Sequence, residues 1–200
     1  IGPSSSHTAG AARLGKVART IAGDEVGEVT FLLHGSFGKT YKGHGTDRAL
    51  VAGIMGMDPS DDRLRDSLEI AKEKGIKITF KDVDLGDYHP NTVKFLMKLK
   101  NGKECEIVGS SIGGGNIEIN EINGNEVKFT GTYSTIITSH KDIPGTVAKV
   151  TNILYDSKVN IAFLTLGRSQ KGKNATMTFE VDSEISNDLI EEIRKVEGIE

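Results

Sequence analysis

Two short stretches carry the side chains with the most chemical capacity. Residues 2–8 read Gly2-Pro3-Ser4-Ser5-Ser6-His7-Thr8, and residues 43–47 read Gly43-His44-Gly45-Thr46-Asp47. In the first, Pro3 fixes its own φ and Gly2 lets the chain bend. The hydroxyls of Ser4, Ser5, Ser6 and Thr8 then either cap a helix or reach outward to a carboxylate or phosphate, which a helix N-terminus attracts. In the second, a histidine between two glycines has little neighbouring bulk and projects freely into a cleft. Imidazole titrates close to neutral pH, so His44 can take a proton at modest cost, with Asp47 near enough to orient it. The plainer readings are a generous helix cap for the first stretch and a mobile surface histidine for the second.

Other motifs are weaker. Gly35-Ser36-Phe37-Gly38-Lys39-Thr40 follows a strand pattern and ends in Gly-Lys-Thr, but the early glycine of a phosphate-cradling loop falls on Leu33, so the backbone cannot wrap a phosphate. His89-Pro90-Asn91-Thr92 reads as a turn, which leaves it free to line a site. The glycines of Gly109-Ser110-Ser111-Ile112-Gly113-Gly114-Gly115-Asn116 are explained by a bent or bulged strand pair as well as by an anion nest. Further on, His140, Asp142 and Asn160 flank an expected helix start and an expected strand. Together they have the polar groups to hold both ends of an amino acid. Five histidines and the single Cys105 show no short metal-ligand spacing, so no metal is assigned to this chain.

The elements that must position these residues follow from periodicity. Leu14, Val17, Ala18 and Ile21 mark a helix ending near Gly23, and Val29, Phe31 and Leu33 alternate as a strand. A second helix is expected from Thr46-Asp47, either of which can cap it, through Met55, and a third through Leu64–Ala71. From Ile76 the period becomes two, with Asn101-Gly102 and Asn123-Gly124 as two-residue hairpin turns, which predicts an antiparallel sheet. After about Gly131 the order is strand, helix from Pro144, strand, strand, helix from Asn187, with the final strand cut off at Glu200. The expectation is an α+β chain of two domains, 1–130 and 131–200, the second a split-βαβ, ferredoxin-like unit. A net charge of −3 over 200 residues offers no basic stripe for nucleic acid or anionic membrane. No apolar run resembles a span or signal, and a single cysteine rules out an internal disulfide framework, so the expected location is cytoplasmic. The chain opens on Ile1 rather than Met, so further residues are expected upstream.

Taken together, G-P-S-S-S-H-T at 2–8, G-S-F-G-K-T-x-x-G-H-G-T-D at 35–47, H-P-N-T at 89–92 and S-I-G-G-G at 111–115 resemble the β subunit of the bacterial iron–sulfur L-serine dehydratases. The C-terminal unit, with its D-I-P-G loop and V-N-I-A strand, resembles an ACT domain. The resemblance implies an N-terminal domain like the allosteric substrate-binding domain of certain phosphoglycerate dehydrogenases. It also implies a lyase that converts L-serine to pyruvate and ammonia, with a [4Fe–4S] cluster on a separate α subunit and not ligated by this chain. Carried over, His44 is the base toward the Cα proton, with His7 able to exchange roles. Ser4, Ser5, Ser6, Thr8, Thr46 and Asp47 bind substrate or shape its pocket. His140, Asp142 and Asn160 form an effector site at a dimer interface, with self-association through the ACT domain. The competing reading is a non-catalytic amino-acid sensor whose N-terminal domain only docks to a partner.

Overall fold

In the computed structural model, which describes residues 5–168 and 172–200, the apolar spacing after Thr8 becomes helix α1, Ala9–Ala22. Gly23, at φ 77°, ends it by donating its N–H to the Arg19 carbonyl, a left-handed cap that glycine adopts without strain. Strand β1 (Val26–Leu33) follows, then a five-residue helix α2 (Ser36–Thr40) inside the motif that begins at Gly35. Helix α3 covers Thr46–Ile54. A 3-10 turn at Asp62–Asp66 leads into α4 (Ser67–Glu73), and β2 (Lys77–Asp82), β3 (Thr92–Leu99), β4 (Glu104–Gly113) and β5 (Asn116–Ile122) follow.

The chain divides into two compact units, Ile1–Asn123 and Gly124–Glu200. In the first, strands lie in the order β2-β1-β3-β4-β5. The sheet is mixed and not purely antiparallel as expected, because β2 runs parallel to β1 with Phe31 opposite Phe80. A parallel neighbour needs a crossover, and α2, α3 and α4 supply it. The other pairings are antiparallel. Val29, Phe31, Leu33, Phe95 and Ile107 point to one face and are fully buried there. Helices α1 and α3 cover this face and cross at glycine: a Cβ on Gly53 would lie 2.2 Å from the Ala12 carbonyl oxygen, and one on Gly15 would lie 2.5 Å from that of Leu50. The bulged glycines of β4 have the structural role that the strand reading gave them. Register shifts occur at Val108/Gly109 and Ser111/Gly113, and a Cβ on Gly109 would meet the Leu14 side chain at 2.7 Å.

The hairpin turns differ from each other. Asn123 and Gly124 have φ of 49° and 80°, as a type I′ turn requires. At the other, only Gly102 has positive φ (86°), with the Leu99 N–H reaching the Lys103 carbonyl at 2.8 Å. That hairpin is therefore longer than the two-residue turn expected.

The second unit holds β6 (Asn125–Phe129), β7 (Ser134–Lys141), α5 (Thr146–Asp156), β8 (Ile161–Arg168), β9 (Asn174–Val181) and α6 (Asn187–Arg194). Within it, Thr165 Oγ1 on β8 reaches the Lys128 carbonyl of β6 at 3.4 Å. Antiparallel β7-β9-β8 forms its sheet, with Ile136, Val150, Leu154, Met177, Phe179, Val181, Leu189 and Ile193 as core. Helix α5 starts behind Gly145 at φ 93°, so Pro144 lies just before the helix and not within its first turn. At the chain's last residues, Lys141 N–H reaches the Gly198 carbonyl at 2.8 Å and Glu200 N–H reaches that of Ser139 at 2.9 Å. They pair along the outer edge of β7, where the fourth strand of a split-βαβ unit belongs.

Candidate functional site

The loop before α1, helix α2 and the loop before α3 bring the two candidate histidines together. The His7 and His44 rings lie 5.0 Å apart, tilted by 38°. His7 Nδ1 faces Ser6 Oγ at 3.1 Å, and its Nε2 faces Ser36 Oγ at 3.1 Å. Beneath the ring, fully buried Phe37 meets it edge-on at 5.4 Å. Burial pushes the His7 pKa below the ordinary imidazole value, and the neighbouring His44 adds to this. His44 itself is exposed. Gly45, at φ 71°, turns the chain from it into α3, so that glycine is required by backbone conformation.

The surrounding side chains hold this geometry, and none of the expected hydroxyl or carboxylate caps forms. Thr8 stands at the N-cap position of α1 but makes no capping bond; its Oγ1 donates to the His44 carbonyl at 3.2 Å, tying the two loops together. The exposed Ser5 accepts the Gly10 N–H with its carbonyl at 2.9 Å. Ser6 accepts from Ser111 Oγ with its carbonyl at 2.9 Å, and a Cβ on Gly10 would lie 2.0 Å from that same Ser111 Oγ. The expected contribution of Ser4 lies outside the described residues. Neither Thr46 nor Asp47 caps α3, whose cap is Gly45. Thr46 is fully buried with Oγ1 unpartnered among the described residues. Asp47 accepts the N–H of adjacent Arg48 at 2.8 Å, so its carboxylate is turned into its own helix start; the tie to the His44 loop comes from Thr8 instead.

Ser36 escaped the sequence reading because it sat in a motif rejected as a phosphate loop. Its contact with His7 spans 29 positions of chain, and no local pattern encodes a contact of that range. The His89-Pro90-Asn91-Thr92 turn proves to be its support: Ser36 N–H donates to the Pro90 carbonyl at 2.8 Å. Thr92 Oγ1 closes that turn onto the His89 carbonyl at 2.6 Å, and His89 Nδ1 accepts the Asn91 N–H at 3.1 Å.

The three residues expected to form an effector site do not converge within one chain. His140 pairs with Ala175 at one end of β9, whereas Asn160 precedes Ile161, which pairs with Val181 at the other end. At ~3.3 Å per residue these ends are about 20 Å apart. His140 is buried, with Nδ1 unpartnered among the described residues, and burial lowers its pKa although Asp142 pulls the other way. Asp142 accepts from the Gly172 N–H at 2.9 Å and from Arg168 Nη1 at 2.8 Å; these two bonds hold its carboxyl below the usual range. Asn160 Nδ2 donates to Asp182 at 2.5 Å. Among the described residues no three His, Cys, Asp or Glu side chains gather as a metal site, and no helix is long and apolar enough to cross a membrane.

The fold thus defines a two-unit α+β protein whose second unit is of split-βαβ type, and comparison with known proteins agrees with that layout. The family model described as serine dehydratase beta chain matches residues 1–67, and the ACT domain model matches 134–198. The chain is 44% identical to the L-serine dehydratase beta chain of Peptoniphilus asaccharolyticus, across 98% of this chain and 89% of the relative. It is likewise 44% identical to the probable L-serine dehydratase beta chain of Bacillus subtilis, across 100% of this chain and 90% of the relative. It belongs to the L-serine dehydratase beta-chain family. A more distant likeness, 26% identity across 93% of this chain, covers only 34% of a Synechocystis D-3-phosphoglycerate dehydrogenase.

Proposed function

We propose that this chain is the β subunit of an L-serine dehydratase and supplies the proton chemistry for converting L-serine to pyruvate and ammonia. The observation that carries the reading is the 5.0 Å approach of His7 and His44, from two motifs far apart in sequence, beside a surface-exposed His44. Loss of the serine hydroxyl requires a base for the Cα proton, and His44, the exposed member, takes it. His7 stays neutral beside it, because burial opposes a second positive charge there. Ser5, Ser6 and Thr8 shape the loop that closes one side of the substrate's position.

The α subunit would contribute a [4Fe–4S] cluster, which acts as a Lewis acid on the leaving hydroxyl. This chain's residues do not fit as its cradle: Cys105 is a single thiol, buried in β4 and pushed up in pKa by that burial, whereas such clusters are held by several thiolates. The second unit associates with a second copy through β8, the outer strand of its sheet, where Leu164 and Leu166 are exposed. An effector site using His140, Asp142 and Asn160 then takes the first two from one copy and Asn160 from the other.

In the enzyme reconstituted with its α subunit, His44→Ala is expected to lower kcat by about 10²–10⁴, the usual contribution of a general base, with assembly unchanged. Near-normal turnover in that variant overturns the base role. It would favour the sensor reading, which draws on the likeness to part of a phosphoglycerate dehydrogenase.

A further inference from the structure

We propose that Ser36 is a positioning residue for the His7–His44 pair: its hydroxyl, 3.1 Å from His7 Nε2, sets the tautomer and ring plane of His7 and so the face that His7 presents to His44. The inference rests on the reading of His44 as the base and assigns a partner on which that geometry depends.

Ser36 is held more firmly than a loop serine. Its N–H donates to the Pro90 carbonyl at 2.8 Å, and its own carbonyl accepts Thr40 Oγ1 at 2.7 Å. Gly35, at φ 59°, passes so close to the 89–92 turn that a Cβ there would lie 2.7 Å from the Pro90 oxygen. The following residue, Phe37, is fully buried and touches the His7 ring edge-on. The Ser36 hydroxyl is therefore presented from a supported point, which is the condition for orienting a reactive group within tenths of an ångström.

Among the described residues, the Ser6 and Ser36 hydroxyls that face His7 differ in what they can fix. A neutral imidazole carries one N–H and one bare nitrogen, and a hydroxyl can donate or accept, so either tautomer is chemically possible between two serines. Ser6 is adjacent to His7 in the same loop, so its bond stays within that loop. Ser36 belongs to the α2 segment, which runs through Thr40 directly to His44: the His44 N–H donates to the Thr40 carbonyl at 3.1 Å. Ser36 is thus the hydroxyl that ties the His7 ring to the segment bearing His44. With that tie in place, a proton arriving at His44 meets a neutral neighbour held from the segment that bears His44; without it the Nε2 side of the ring loses that anchor.

The test compares wild-type chain with Ser36→Ala and Ser36→Thr, using ¹⁵N-resolved NMR of the imidazoles across pH 5–9 and turnover in the reconstituted enzyme. Ser36→Ala is expected to turn a single dominant His7 tautomer into an averaged one. Its kcat should fall about three- to tenfold, the worth of one neutral hydrogen bond, with KM little changed. Ser36→Thr, which keeps a hydroxyl, should restore the tautomer and the rate. Unchanged His7 resonances in a natively folded Ser36→Ala overturn the proposal, as does a natively folded Ser36→Thr that behaves like Ser36→Ala. Failure of the base reading looks different: His44→Ala then turns over normally while the His7 tautomer still depends on Ser36.

Discussion

Replacing Gly53 by alanine tests whether the crossing of α1 and α3 is set by backbone contact. The added Cβ would lie 2.2 Å from the Ala12 carbonyl oxygen and 2.8 Å from Gly15 Cα, whereas ordinary contact starts near 3.4 Å. Both obstacles are backbone, so no rotamer change relieves them, and the helices must separate by about 1 Å, which forfeits a quarter to a half of each dispersion contact along the seam. Overpacking of this kind costs roughly 1–3 kcal/mol, and the upper end applies where backbone meets backbone. Alanine's better helix propensity returns up to about 1 kcal/mol, leaving a net loss near 2 kcal/mol and a melting point lower by about 5–10 °C. Urea unfolding, with amide exchange in α1 and α3 to report on this unit, measures the effect. Propensity acting alone would stabilise the protein, so the sign is decisive: a Gly53→Ala variant as stable as wild type or more so refutes the close-packed crossing. Gly15→Ala should cost a similar amount, and the double variant less than the two combined, since once the helices have parted the second methyl meets space already opened.

Acidification should destabilise the chain through half-buried His7 and buried His140. The pKa values of His7 and His140 are lowered by burial from the ordinary 6.5, so the unfolded chain takes up these protons first; stability is full above about pH 6.5 and falls as pH drops through the folded values. Urea midpoints at pH 7.5 and 5.5 should fall in that order, more shallowly in a His7→Gln, His140→Gln variant, and a midpoint that rises on acidification refutes the assignment. Leu166→Lys places a charge on the exposed apolar edge of β8 and is expected to shift the chain toward monomer in analytical ultracentrifugation. An unchanged mass distribution would remove β8 as the self-association edge.

Local pattern carried most of the elements. The spacing of Leu14, Val17, Ala18 and Ile21 needed only one buried face to become α1, and the alternation in β3 and β5 needed only one buried side of a sheet. The parallel placement of β2 was not legible, because Ile76, Ile78 and Phe80 alternate identically whichever way the neighbouring strand runs. Nor was α2, whose five residues are too few for a period and whose first turn is held by the Pro90 carbonyl from a distant turn. Thr46 and Asp47 were misjudged as caps for a related reason: composition suggests a capping hydroxyl or carboxylate, but Gly45's left-handed conformation takes the cap.

What the sequence by itself determined was which residues are able to do chemistry: an imidazole among serines at His7, an imidazole between glycines at His44, and no second cysteine beside Cys105. That capacity belongs to side-chain type and near neighbours, which linear order preserves. Only the tertiary structure decided that the two imidazoles stand 5.0 Å apart, that Ser36 meets one of them, and that His140 and Asn160 stand at opposite ends of β9. Each is a distance between segments remote in sequence, fixed by glycine-close helix packing and strand register.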